Sequence, residues 1–286
     1  MMDKKLEALR KEYKNTPIPD ELDFIVKKAL KQKKKRNVNM MKRLIGVGAA
    51  VLIFITGVNA SPSLANTLSG VPIFGSLVKV ITFTELKVDE GTAKTEIKVP
   101  VITNMENKTL ESTLNKKYLE ESKKLYKDFM EEMESVKENG GGHLGVESGY
   151  DIKTDNDQIL AIGRYVVSTV NSYSEYTYDT IDKKNELLIT LPSLFKDDSY
   201  INLINENIKE QMRSQMEANP DKFYWLDGEL GFKTIAKDQS FYINDKGKLV
   251  IVFNKYEVAP GYMGVCEFTI PTDVISNVLA SKEYIK

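Results

Sequence analysis

Between Leu44 and Val58 the chain reads LIGVGAAVLIFITGV, with no charge, and the stretch before it, KQKKKRNVNMMKR, has seven basic side chains and no acid. Few arrangements suit such a run, and a membrane crossing is the simplest. Lys and Arg stay on the cytoplasmic side of a bilayer, so residues 1–43 are expected inside and the remainder outside. Fifteen helical residues rise only about 22 Å, short of a ~30 Å hydrocarbon core. Continuing through NASPSLA to Ala65 brings the span to about 33 Å. A basic region, an apolar region and then small residues is also the layout of a signal peptide, and cleavage after Ala60 or after Ala65 would satisfy the small-residue rule. A lead of 43 residues is long for a secretion signal. Residues 44–65 therefore read as an anchor that keeps a signal-peptidase-like cleavage region; a plain anchor with a Ser/Pro-rich exit fits the same residues.

Charge divides at this crossing. Residues 1–43 hold 14 Lys/Arg against 6 Asp/Glu, and residues 66–286 hold 26 against 35. A basic inner piece suits an anionic inner leaflet. An acidic outer domain favours encounter with a basic partner and repels acidic wall polymers, although acidity also serves solubility. One cysteine, Cys266, and one histidine, His143, leave no intramolecular disulfide, no ordinary His/Cys zinc site and little room for a His-dependent nucleophile. An outer domain of about 220 residues is large enough to be held by its core alone. The Lys- and Asn-rich, Cys-poor composition suggests a bacterial surface protein, in which the sequon Asn107-Lys108-Thr109 carries no weight.

The inner piece contains two helix patterns. The first runs over residues 1–16, and Pro17 and Pro19 break it. The second starts at Asp20 as N-cap and shows Leu22, Ile25, Val26, Ala29 and Leu30 on one face, with Phe24 beside the stripe. A piece of 43 residues cannot build its own core, so this stripe needs a partner protein or a lipid surface.

The outer domain, 66–286, reads as α+β, mostly antiparallel sheet with two main helices. After a turn-rich tether at 66–85 come a strand at TAKTEIKVPVI, a long helix from Asn107 to Val136, and alternating strands over 150–182 with a turn at 171–174. A second helix is expected at 197–219. FYIND-KGK-LVIVF is a hairpin turning at 245–248, and a strand at 267–270 and a short helix at 273–279 close the chain. The segment Glu257–Gly264 reads as an exposed loop.

Catalytic signals are sparse. The acid pairs Glu131/Glu132, Asp197/Asp198 and Asp227/Glu229 fit a solvated surface better than a glycosidase pair, whose spacing no motif fixes. Gly140-Gly141-Gly142 lacks the strand and the Lys-Ser/Thr of a phosphate loop. Ser168, Ser172 and Ser174 lie in no nucleophile elbow. No metal or cofactor motif occurs, and outside the membrane basic residues do not cluster with aromatics, which argues against nucleic acid. Two turns have interface chemistry: the rigid bend and aromatic tip of Pro260-Gly261-Tyr262, and the Tyr/Ser turn at Ser172. Ordinary hairpin ends account for the same residues.

PIPDELDFIVKKALKQKKKR resembles the inner segment of RsiV-type anti-sigma factors. DTIDKKNELLITLPSLFKDDSYI, QSFYINDKGKLVIVFNKYEVAPGYMG and EFTIP resemble the outer domain of that family, in the same order along nearly the whole chain. The resemblance implies that Leu22, Phe24, Ile25, Val26, Ala29 and Leu30 grip an extracytoplasmic-function sigma factor of the sigma-V type. It implies an outer receptor for C-type lysozyme, with Pro260, Gly261 and Tyr262, and less directly Ser172, as contacts. Binding would expose Ala60 or Ala65 to signal peptidase, and an intramembrane protease would then cut within 44–58 and free the sigma factor. A loop entering the lysozyme cleft would make the receptor an inhibitor as well. Cys266, beside that loop, departs from the family pattern and raises the question of mixed disulfides. The expectation is a signalling regulator and not an enzyme; the alternative is a membrane-anchored accessory that binds or modifies the wall.

Overall fold

The computed structural model describes residues 78–169 and 173–286. The expected inner helix and anchor, and Ala60, Ala65 and Ser172, lie outside these residues. Among the described residues no helix is long and apolar enough to cross a membrane.

Strands β1 (Lys79–Glu90) and β2 (Ala93–Thr103) form a hairpin whose tight turn has Gly91 at φ +70°. Glycine adopts that conformation without steric cost, which is why a two-residue turn can close here. Helix α1 (Lys108–Glu138) follows, with Asn107 as N-cap: its side-chain oxygen accepts the Leu110 N–H at 3.1 Å. The sequon residue is thus a helix cap. The buried positions of α1, Leu114, Tyr118, Ser122, Phe129 and Met133, recur at helical spacing and pack along β2 and β3.

Strand β3 (Leu144–Asp155) returns parallel to β2, with α1 as the crossover, and β4 (Ile159–Ser168), β5 (Tyr173–Asp182) and β6 (Leu187–Ile189) continue antiparallel in the order β1-β2-β3-β4-β5-β6. β3 begins six residues before the alternation at 150 suggested. Its first part, LGVESGY, hides two glycines that weaken strand propensity. A Cβ at Gly145 would lie 2.6 Å from Thr169 Oγ1, and one at Gly149 would lie 2.6 Å from the Tyr165 hydroxyl, so side chains from β4 and its turn cross the strand where it is bare.

The rest of the chain forms a second layer. A 3-10 turn (Pro192–Leu194), helix α2 (Ser199–Ala218), and strands β7 (Phe241–Ile243), β8 (Leu249–Phe253) and β9 (Cys266–Ile270) precede a short α3 (Thr272–Ile275). The three strands make an antiparallel sheet of order β7-β8-β9. The β7–β8 hairpin turns as expected: the Gly247 N–H donates to the Asn244 carbonyl at 2.8 Å, and Gly247 has φ +68°. The continuous apolar run Ile159–Ile162 is explained by its two covered faces. Leu160 and Ile162 pack with Leu114 and Tyr118 of α1, while Ile159 and Ala161 join a larger core with Ile204 and Ile208 of α2 and Ile251 and Phe268 of the second sheet. The C-terminal tail is part of this core. Ile285 is buried, and the Tyr284 hydroxyl donates to Asp182 at 2.7 Å. Among the described residues the architecture is therefore α+β, with one parallel strand pair and two sheets.

Candidate functional site

The β8–β9 connection, residues 254–265, is tied down at both ends. Asn254 clasps β5 through its side-chain amide. Its Oδ1 accepts the Tyr176 N–H at 2.7 Å, and its Nδ2 donates to the Tyr176 carbonyl at 3.2 Å. The Glu257 carboxylate accepts the Asn254 N–H at 2.9 Å, and the Glu257 N–H donates back to the Asn254 carbonyl at 3.1 Å. That reciprocal turn holds Tyr256 at φ +71°, a left-handed conformation uncommon for a bulky side chain.

The base of the connection is not exposed, contrary to the sequence reading. Val258 and Ala259 are both 2% exposed and plug the core, and the Val258 carbonyl accepts the Trp225 N–H at 2.8 Å. Tyr256 and Glu257 before this plug and Tyr262 at the tip after it are exposed. Gly261–Met263 forms a 3-10 turn closed by the Met263 N–H donating to the Pro260 carbonyl at 2.9 Å. A Cβ on Gly261 would lie 2.4 Å from the Tyr256 ring, so only glycine lets Tyr256 pack beneath the tip. Tyr262, with both neighbours braced, is 70% exposed. Such an aromatic, held rigid and left bare, loses little entropy when a partner covers it.

Pro260, Gly261 and Tyr262 sit together on this one turn. The clasp on Tyr176 sets the β8–β9 connection beside the end of the β4–β5 hairpin. Ser172 itself lies outside the described residues, but the next residue, Tyr173, is 39% exposed and donates to Glu175 at 2.7 Å. That hydrogen bond, with burial and the charges of Glu175 and Glu257, pushes its hydroxyl pKa up to about 12. Cys266 opens β9 behind the loop and is 5% exposed. Burial, opposed by Lys222 and aided by Glu257, pushes its thiol up to about 11. A buried, protonated thiol reacts poorly, so the mixed-disulfide concern loses its physical basis. His143 is exposed, and no group of His, Cys, Asp and Glu among the described residues could hold a metal ion.

Sequence reasoning missed a second turn bonded to this loop. Residues 226–231 leave the layer beside Val258, and Leu230 at the tip is 69% exposed. The signal in the sequence is the Asp-Gly turn pair flanked by leucines in WLDGELG.

Comparison with known proteins adds the family. A model described as a protein of unknown function, DUF3298, matches residues 192–273, which include both turns. A DUF3298-family protein of Bacteroides fragilis has a solved structure similar at TM-score 0.53 and 17% identity, over 71% of this chain and 94% of that one. One from Pseudomonas aeruginosa PAO1 is similar at TM-score 0.50 and 9% identity, over 73% and 97%. At those identities the likeness is one of fold alone. The anti-sigma-V factor RsiV of Bacillus subtilis strain 168 is 49% identical over 288 residues, spanning all of both chains. The chain therefore belongs to the RsiV family of anti-sigma factors.

Proposed function

We propose that this anti-sigma factor is a single-pass membrane protein whose outer domain binds C-type lysozyme. Its inner helix, through Leu22, Phe24, Ile25, Val26, Ala29 and Leu30, holds an extracytoplasmic-function sigma factor of the sigma-V type. Lysozyme docks on Pro260, Gly261 and Tyr262, with Ser172 at the margin. Docking exposes the region around Ala60 and Ala65 to signal peptidase, and an intramembrane protease then cuts within 44–58 and releases the sigma factor. A tip seated in the lysozyme cleft also blocks that enzyme. On this reading the protein is a regulator and performs no catalysis.

The observation that carries the reading is the bare, braced Tyr262 on an acidic domain. C-type lysozymes are basic, so the domain's net charge favours the encounter and the rigid aromatic supplies an anchor. Support for the inner half is the family, whose likeness spans residues 1–43 as well as the outer domain.

Titrating the full chain in nanodiscs with hen-type lysozyme tests the outer half. Saturable one-to-one binding is expected, weakened about 30-fold by Tyr262→Ala, equivalent to about 2 kcal/mol for an interface anchor. Absence of binding at moderate salt would remove lysozyme as the signal. The inner half is tested in cells: Phe24→Asp with Ile25→Asp should release sigma-dependent transcription without lysozyme, and continued repression would exclude the helix as the grip.

A further inference from the structure

We propose that the 226–231 turn is a second anchor of the same docking surface, with Leu230 as the inserted apolar side chain and Asp227 and Glu229 as charges that face a basic protein. This rests on the lysozyme reading of the Tyr262 loop and extends it to residues that reading does not use.

The turn is a closed, rigid excursion. Its neck is shut by the Phe232 N–H donating to the Trp225 carbonyl at 2.8 Å, and Trp225 is bonded in turn to Val258, the base of the Tyr262 loop. Phe232 is buried, and its ring meets Phe253 edge-on at 5.4 Å. Within the turn the Gly231 N–H donates to the Gly228 carbonyl at 3.3 Å, and the Lys233 ammonium donates to the same carbonyl at 2.8 Å. Gly228 has φ +77°, and a Cβ on Gly231 would lie 2.8 Å from the Asp227 backbone. Two glycines are thus required to fold the turn onto itself, and the fold leaves Leu230 outside.

A single exposed leucine means little. Here the neck of its turn is bonded, through the Trp225 N–H and the Val258 carbonyl, to the base of the loop that carries Tyr256 and Tyr262, exposed by 51% and 70%. Apolar side chains on prefixed turns lose little freedom on docking. The charge of the domain selects the partner. Asp227, Glu229 and Glu257 are exposed. Lys222, Lys233 and Lys255 keep their charge while bonded to Gln215 at 2.6 Å and to the Gly228 carbonyl, or set 5.2 Å from the centre of the Tyr256 ring, so attraction for a basic partner comes from the acidic excess of residues 66–286, 35 Asp/Glu against 26 Lys/Arg. Apolar tips on an acidic domain fit a basic globular protein better than an anionic wall polymer or an equally acidic second copy.

The test titrates the full chain, in nanodiscs of neutral lipid, with hen-type lysozyme at low salt and at about 0.5 M, where screening removes most exposed-charge attraction. Leu230→Ser should weaken binding about 10-fold at both salts. Asp227→Lys with Glu229→Lys should weaken it about 10-fold at low salt and much less at high salt. Neither should move the unfolding midpoint, because these side chains are exposed. If Tyr262→Ala weakens binding while both 226–231 variants bind as the parent does, this inference is overturned and the lysozyme reading stands. If the parent itself does not bind, both are overturned. A lower unfolding midpoint in Leu230→Ser alongside weaker binding would assign Leu230 a structural role, and loss of self-association with lysozyme binding intact would assign the tip to a second copy. Either result overturns the proposal.

Discussion

On one face of β4 and β5, Leu160, Ile162 and Ile181 meet Leu114 and Tyr118 of α1, and beyond these few residues the contact turns ionic. Asp179, 4% exposed, accepts from Lys117 at 2.9 Å and from Arg164 at 3.2 Å; Arg164 also pairs with Glu121 and stacks on Tyr118 with its guanidinium 4.5 Å from the ring centre. On the opposite face, Ile159, Ala161 and Tyr178 meet a second sheet whose central strand, Leu249–Phe253, is buried at every position. That core continues through a chain of rings, Phe232 to Phe253 to Phe268 to Tyr224, at 5.4–5.8 Å. The first face is held by a small core and a charge cluster that fixes the helix in register. The second is close-packed, and the turns at 226–231 and 254–265 grow from it. A surface loop can be short and rigid only if its base is buried, and the packed face supplies that burial through Val258, Ala259 and Phe232.

The largest effect should come from cutting into the ring chain. Phe268 is fully buried, and Phe268→Ala should cost about 3–5 kcal/mol, from lost transfer energy and a cavity that the sheet cannot fill. Urea unfolding measures this, and lysozyme affinity should fall with it because the turns lose their footing. Lost stability with unchanged affinity would separate the turns from the packed face and break the comparison.

On the helix face, Asp179→Ala should cost about 3 kcal/mol by leaving Arg164 without one of its two carboxylates in a nearly buried site. Here affinity at a temperature well below the unfolding midpoint should match the parent, because no docking residue rests on α1. Weakened binding would mean the two faces are coupled through the sheet.

A smaller, pH-dependent effect is expected where the faces join the C-terminus. Burial raises the Asp182 pKa. The backbone N–H of Asn185, the Tyr284 hydroxyl, the Asn185 side chain and the Lys184 N–H outweigh it, so the pKa lies below the ordinary carboxylate value. A group whose folded pKa is depressed stabilises the fold above its unfolded pKa, about 3.9, and loses that contribution as pH falls through the folded value. Unfolding midpoints between pH 7 and pH 3 should therefore fall less for Asp182→Asn than for the parent. Parallel curves would show that the carboxylate charge is immaterial to the clamp.

Much of this was legible in the sequence wherever one face of an element is buried. The spacing of Leu114, Tyr118, Phe129 and Met133 marked α1, and Asp245-Lys246-Gly247 marked the β7–β8 turn. Legibility failed where tertiary contact decides. The start of β3 was hidden because Gly145 and Gly149 make room for Thr169 and Tyr165, partners more than ten residues away. Glu257–Gly264 read as all exposed because its Ala-Pro-Gly composition is that of a turn, and nothing local shows that Val258 and Ala259 fill a core built by α2 and the second sheet. For the candidate site the aromatic tip could be seen, but the Asn254 clasp on β5 and the Trp225–Val258 bond that joins the two turns of the second layer could not. Both join residues more than thirty positions apart.

The smallest expected effect bears on whether the packed face stays closed beneath the Tyr262 loop. Cys266 begins β9, two residues after Gly264, whose φ of +66° turns the chain out of the tip. With the thiol pushed up to about 11, the thiolate fraction at pH 7 is on the order of one in 10,000, and burial blocks access to it. A disulfide reagent should therefore modify the native protein only through local opening of the strand, and should react fast and one-to-one in urea. Cys266→Ala should cost only about 1 kcal/mol, the scale of a lost buried methylene-sized group. Saturating lysozyme should slow native labelling further if docking braces the loop that leads into Cys266. Fast labelling of the free protein would mean that β9 frays at its first residue, and the rigidity argued for Tyr262 would then have to come from the Asn254 clasp alone.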